Sequence, residues 1–157
     1  MRAVVQRVSS ASVSWTEETG EARQSAIGAG LVVLLGVGPD DTVQTGERLA
    51  RKIANLRIFE DERGRFDRTL LDLDGEALVV SQFTLFADAR RGRRPSFIGA
   101  APPALAEPLC DAFTASLRET GVVVGSGRFG AHMEVELVND GPVTLVLSTE
   151  PWESRID

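Results

Sequence analysis

Two short stretches hold the groups that could do chemistry. Ser81-Gln82-Phe83-Thr84-Leu85 crowds three hydrogen-bonding side chains at the end of an apolar run that starts at Ala77. Polar groups buried at such a place need partners or a ligand. Read alone, the stretch is a strand leaving the core. Read as a site, Thr84 offers a hydroxyl, and Gln82 with the neighbouring main-chain N–H groups offers an oxyanion-type donor set. The second stretch is Asn139-Asp140-Gly141-Pro142-Val143-Thr144, between the apolar runs Met133 to Val138 and Val143 to Leu147. Its simplest reading is a turn joining two strands. Gly141 can take a positive φ and lets another molecule come close. Pro142 fixes φ and removes an N–H, and an X–Pro bond can be cis at modest cost. Such a pair presents two carbonyl groups rigidly.

Other chemistries find little support. The chain has one histidine, His132, in a strand-like run. A Ser-His-Asp hydrolase would need that residue as its base, and no Gly-x-Ser-x-Gly elbow occurs. One histidine and one cysteine cannot build a zinc site of the usual kind. Carboxylates are plentiful, but no spacing marks an acid/base pair. Cys110 falls on the apolar side of an expected helix, which favours a buried, inert thiol. No Gly-x-Gly-x-x-Gly opens a helix and no phosphate-binding P-loop is present. No metal and no cofactor is expected.

The elements that must position these stretches follow from the patterning. With 157 residues, 43% hydrophobic and 25% charged, the chain is expected to form one globular domain over 1–157, with 150–157 a flexible tail. No apolar run reaches membrane-span length and no signal-peptide core follows Met1, so the expectation is a cytoplasmic protein. A net charge of −6 argues against a broadly basic nucleic-acid coat. It leaves room for a local patch at Arg90, Arg91, Arg93 and Arg94, which is either a solvated loop or a phosphate-contacting one. Ala3 to Val8 and Val13 to Trp15 read as two early strands, and polar Thr16 to Gln24 as an exposed loop. Leu31 to Val37 is a buried strand. A helix starts after Pro39-Asp40-Asp41-Thr42, with Leu49, Ile53 and Leu56 on one face. Leu56 to Phe59 leaves it as a strand. Asp74-Gly75 is a hairpin-type signal feeding a strand from Ala77 to Phe86. Pro103 to Thr120 is the second helix, closed by Gly121, and three strands end the chain. This predicts an α+β fold, with largely antiparallel β-sheets forming a barrel-like core and two main helices.

Together, the Ser81 and Asn139 stretches closely resemble the paired signature motifs of the D-aminoacyl-tRNA deacylase family. Gln6-Arg7-Val8, Ala11-Ser12-Val13, Gly28 to Val37, Arg57-Ile58-Phe59, Arg94-Pro95-Ser96-Phe97 and Gly127-Arg128-Phe129 also look like that family, in order. The resemblance covers residues 1 to 149. It implies hydrolysis of the ester joining a D-amino acid, or glycine, to the terminal ribose of tRNA. It implies a homodimer with the active site at the subunit interface, where a cis Gly141-Pro142 reaches into the partner's pocket and rejects L-residues. It places Ser81, Gln82, Phe83 and Thr84 at the catalytic centre, and Gly141, Pro142, Arg7, Phe129 and Met133 around the substrate. Thr84 is read either as nucleophile or as a positioning group for water assisted by the RNA's own 2′-OH. The chain supplies no evident base for Thr84, which favours the second. A related animal-type deacylase, which edits L-alanine or glycine, looks similar but carries a trans Gly-Pro bond. A non-catalytic tRNA- or amino-acid-binding module is the rival of another class.

Overall fold

The structure, a computed structural model, describes residues 1–90 and 92–151. Arg91 and most of the expected flexible tail lie outside the described residues. The architecture turns on one strand, β1 (Arg2–Thr16). On one edge its first half pairs antiparallel with β3 (Gly30–Gly36), from Arg2 opposite Gly36 to Val8 opposite Gly30. Its second half pairs on that edge with β2 (Ala22–Ile27). The other edge runs beside β8 (Met133–Ser148) over nearly its whole length. Beyond β3 the sheet continues in parallel through β6 (Glu76–Ser81) to β7 (Val123–Ser126). Residues of β2 return against β7: a methyl on Gly125 would stand 2.5 Å from Ser25 Oγ. The mixed sheet is thus nearly closed into a barrel. Phe59–Glu60 (β4) and Phe66–Arg68 (β5) form a separate small hairpin.

Two helices cover the sheet. Helix α1 (Val43–Ala54) opens with a capping box, in which the Thr45 N–H donates to Thr42 Oγ1 at 3.3 Å and the Thr42 N–H returns to Thr45 Oγ1 at 3.4 Å. Asp41, just ahead of the cap, instead accepts from the buried Met1 ammonium and, at 2.7 Å, from the Gly38 N–H. Helix α2 (Pro103–Glu119) starts on a proline, whose missing N–H costs nothing in the first turn, and ends at Gly121, φ +99°. Leu49 and Ile53 of α1 and Leu109, Phe113 and Leu117 of α2 meet Leu31, Val33 and Leu35 of β3 in the larger core. Val32 points to the opposite face, into a second cluster with Val8, Val13, Leu78 and Val80. Burial on both faces explains why β3 is continuously apolar rather than alternating.

Five sequence expectations need correction. The two early strands are one, and the polar segment from Thr16 is only partly loop, because Ala22–Gln24 already belongs to β2. The strand expected through Phe86 ends at Ser81 and gives way to a 3-10 turn, Phe83–Phe86. Asp74, with φ 49°, does not make a hairpin; it leads into β6, which is parallel to β3. Asn139–Thr144 is not a turn between strands. It is a bulge within β8, since Val8 faces Asn139 while Gln6 faces Thr144.

Gly30 sits where β3 and β6 begin to pair, and a Cβ there would lie 1.8 Å from the Glu76 carbonyl oxygen. Backbone cannot move aside as a side chain can. Gly30→Ala is therefore expected to cost about 3 kcal/mol or more, read as a fall in the thermal midpoint or as loss of soluble protein.

Candidate active site

The parallel ladder between β3 and β6 ends with Leu35 opposite Ser81. One more bond follows: the Gln82 N–H donates to the Leu35 carbonyl at 2.7 Å. The chain then folds into the 3-10 turn, closed by Leu85 N–H to Gln82 O (3.2 Å) and Ala87 N–H to Thr84 O (3.0 Å). Gly36 permits this fold, since a Cβ there would come within 3.0 Å of the Gln82 carbonyl oxygen and 3.2 Å of Leu85 Cβ. From below, buried Arg2 holds the turn. Its Nη1 donates to the Leu85 carbonyl at 2.9 Å, and its guanidinium lies 4.3 Å from the Phe86 ring centre.

Because Gln82's own N–H is spent on Leu35, the donors left to open the turn are those of Phe83 and Thr84, which have no acceptor inside a helical turn. The Gln82 amide donates to Thr84 Oγ1, fixing that hydroxyl beside the turn. Ser81, Gln82 and Phe83 form one wall of a cavity of about 200 Å³, floored by Leu35 and Val37. Ala106 and Cys110 of α2, with Phe129 and Gly130 from the loop after β7, close the far side. The same wall, with Gly130, His132 and Met133, borders a second cavity of about 270 Å³. His132 precedes β8 rather than lying in it, and it is exposed. No hydrogen bond joins it to Ser81 or Thr84 among the described residues. Phe83, 58% exposed, meets Phe97 edge-on at 5.2 Å.

Gly141 and Pro142 are elsewhere. They crown the bulge of β8, exposed, with Gly141 at φ +128° and a cis bond between them. Arg7 lies beneath. It is 4% exposed, and its guanidinium donates to the Ile58 carbonyl at 2.8 Å and to the Asp140 carbonyl at 3.1 Å. Asp140 and Glu60 carboxylates stand 3.1 and 3.6 Å from it, and the Phe66 ring centre 5.5 Å. A buried guanidinium needs such satisfaction.

Of the residues singled out from sequence, the structure brings Ser81, Gln82, Phe83 and Phe129 into one cavity and Met133 into the adjoining one. Thr84 stands beside them on the turn. Arg7 lines neither cavity of its own chain and lies under the bulge, donating to the Asp140 and Ile58 carbonyls. Gly141 and Pro142 line neither cavity of their own chain. Sequence reasoning missed Val37, Ala106 and Cys110 as wall residues. The apolar face of α2 was the available signal, but it reads equally well as plain core.

A near-closed mixed sheet under two helices, with an irregular 3-10 turn beginning at the wall of a cavity where β6 ends, defines a small α+β protein with its candidate site at that strand end. Comparison with known proteins narrows this. The D-Tyr-tRNA(Tyr) deacylase family matches residues 4–148. Relatives named D-aminoacyl-tRNA deacylase include those of Roseiflexus sp. (strain RS-1), 62% identical over 95% of this chain and 94% of that one, and of Thermus aquaticus, 54% identical over 95% of each. The solved structure titled c-Myc DNA Unwinding Element Binding Protein is 44% identical, with a TM-score of 0.86 over 96% of this chain and all of that one. A probable eukaryotic D-amino acid tRNA deacylase, at 17% identity and a TM-score of 0.78, shares the fold. The chain belongs to the D-aminoacyl-tRNA deacylase family, and with it is a hydrolase.

Cys110 lines the cavity yet is no nucleophile. Burial, with the Asp111 and Glu107 carboxylates nearby, pushes its thiol up to about 12. A raised value keeps the proton on, so at pH 8 only about one thiol in 10⁴ is ionised. Iodoacetamide at pH 8 is expected to alkylate the native protein at least about 100-fold more slowly than the denatured chain, by intact mass, without loss of activity on the treated protein.

Proposed function

We propose that the cavity beside Ser81, Gln82 and Phe83 takes the terminal nucleoside and ester of a D-aminoacyl-tRNA and hydrolyses it to free D-amino acid and tRNA. The observation that carries this reading is the turn at the end of β6, where Ser81, Gln82 and Phe83 line one wall of the cavity and the Gln82 amide donates to the neighbouring Thr84 hydroxyl. An acyl ester needs donors where its carbonyl oxygen gains charge, and in this reading the Phe83 N–H, unused inside the turn, supplies one. Among the described residues, no histidine, lysine or carboxylate is hydrogen-bonded to the Thr84 hydroxyl; its partner is the neutral Gln82 amide. An amide cannot take a proton, so Thr84 positions rather than attacks. Water attacks, with the substrate's 2′-OH assisting, and the ribose oxygen leaves with the proton.

Handedness is read by the bulge of β8. In a homodimer, Gly141 and Pro142 of one protomer reach the cavity of the other, and their carbonyl oxygens face the substrate's α carbon. Arg7 holds that segment from beneath, so it does not yield. A D-residue turns its hydrogen and amino group toward the oxygens. An L-residue drives its side chain into backbone and is refused. Refusal by clash needs no pocket for the side chain, so many D-residues are accepted, and glycyl-tRNA with them. The protein works in the cytoplasm, where aminoacyl-tRNA is used.

The test is deacylation of D-Tyr-tRNA against L-Tyr-tRNA, with selectivity for the D-form expected; cleavage of neither, or of both alike, ends the reading. Thr84→Ala should keep kcat within about tenfold, whereas loss of a true nucleophile costs about 10⁴ or more. D-Tyr-tRNA ending in a 2′-deoxyribose should be nearly inert.

A further inference from the structure

An acidic chain with a basic loop beside its cavity poses a question of partner. Elsewhere several arginines are answered locally: Arg23, Arg51, Arg57, Arg65 and Arg68 each lie against an Asp or Glu. Between Asp88 and Ile98 the balance reverses, with four arginines and a single carboxylate. Asp88 and Ser96 close the base of this loop by exchanging two main-chain hydrogen bonds of 2.8 Å. Asp88 is also engaged by Arg90, accepting its main-chain N–H at 3.1 Å and its Nη2 at 2.6 Å. Arg93 and Arg94 are exposed, and no carboxylate pairs with either among the described residues. Phe97, next to the base, touches Phe83, which is itself a cavity wall. The loop is therefore tied to the rim of the cavity while its two free guanidinium groups project into solvent.

We propose that Arg93 and Arg94 bind phosphates of the single-stranded 3′ end of the tRNA, just upstream of the nucleoside in the cavity. This rests on the reading of that cavity as the aminoacyl-ester site. Paired guanidinium forks suit phosphate oxygens, and two adjacent cations without counter-charge gain from a polyanion what they lose to each other. Contact with backbone rather than bases carries no sequence information. The loop thus supplies affinity for any tRNA and leaves discrimination to the amino acid's handedness. Because the rest of the surface is net negative, only the segment of RNA nearest the cavity is attracted, which orients the substrate as well as holding it.

The test compares D-Tyr-tRNA with 3′-O-D-tyrosyl-adenosine, which has the ester and nucleoside but no phosphate. In Arg93→Gln/Arg94→Gln, KM for D-Tyr-tRNA should rise about tenfold at 0.1 M salt with kcat unchanged. The slope of log(kcat/KM) against log[salt] should flatten by about 1 to 2, and kcat/KM for the adenosine ester should not move. Arg93→Lys/Arg94→Lys should restore most of the tRNA affinity, and Arg48→Gln, an exposed arginine on α1, should change nothing. An equal loss on both substrates would mean that the loop only shapes the cavity through Phe97, and would overturn the proposal, as would an unchanged KM for tRNA. Dissociation constants for uncharged tRNA, measured alongside, test the loop even if the wild type cleaves neither ester. An unaltered constant in the glutamine variant defeats it, and a weakened one upholds it while the hydrolase reading falls.

Discussion

Taking a guanidinium out of water is costly unless acceptors meet it, and Arg7 meets that demand with the Ile58 and Asp140 carbonyls and two nearby carboxylates. Its position on β1 is fixed by pairing with Leu31 on one edge. On the other edge the pairing skips it: β8 is in register at Gln6 and Val8 but not between them. The residues of β8 left over, Asp140 to Val143, are pushed out as a bulge. The Asp140 carbonyl and carboxylate, the Ile58 carbonyl and the Glu60 side chain then gather round the charge. One buried cation thus ties together β1, the bulge of β8 and the β4 region. Remove it and Gly141-Pro142 is a loose excursion from a strand; keep it and the pair is backed by the body of the protein.

The other half of the site is made by an ending. Parallel strands β3 and β6 stop pairing after one residue more than the regular ladder, and the chain turns over Gly36. Where a ladder stops, main-chain N–H groups lose their partners and become available to a ligand. Arg2 braces the underside of this turn as Arg7 braces the bulge. Both halves of the candidate machinery are therefore irregular backbone, each held by an arginine from β1.

How much of this was legible in the sequence depended on which force set each feature. Burial did: the continuous run Leu31 to Leu35 and the stripe Leu109, Phe113, Leu117 were read correctly because hydrophobic periodicity records what faces the core. Ladder geometry did not. Phe83-Thr84-Leu85-Phe86 consists of good strand formers, and nothing in their types says that the partner strand has ended. Asn139 to Thr144 has turn chemistry, and only its pairing with β1 on both sides of the bulge shows that the strand carries on past it. Ala22–Gln24 is exposed and polar because it lies at the edge of the sheet, so its strand character left no apolar trace. Arg7 was marked as important through resemblance, yet its role in holding backbone from beneath needed its neighbours in space. Ser81, Gln82 and Phe83 were marked by one motif and Phe129 by the likeness of Gly127-Arg128-Phe129 to the same family, while their meeting in one cavity is the work of the fold.

The wall made of Ser81, Gln82, Phe83 and Gly130 is shared by two cavities. A partition one residue thick has no private side. Any change that widens the chamber against α2 narrows or reshapes the chamber beside Met133, and a bulkier group on either side displaces the same main chain. A substitution made to reshape one compartment is therefore felt in the other.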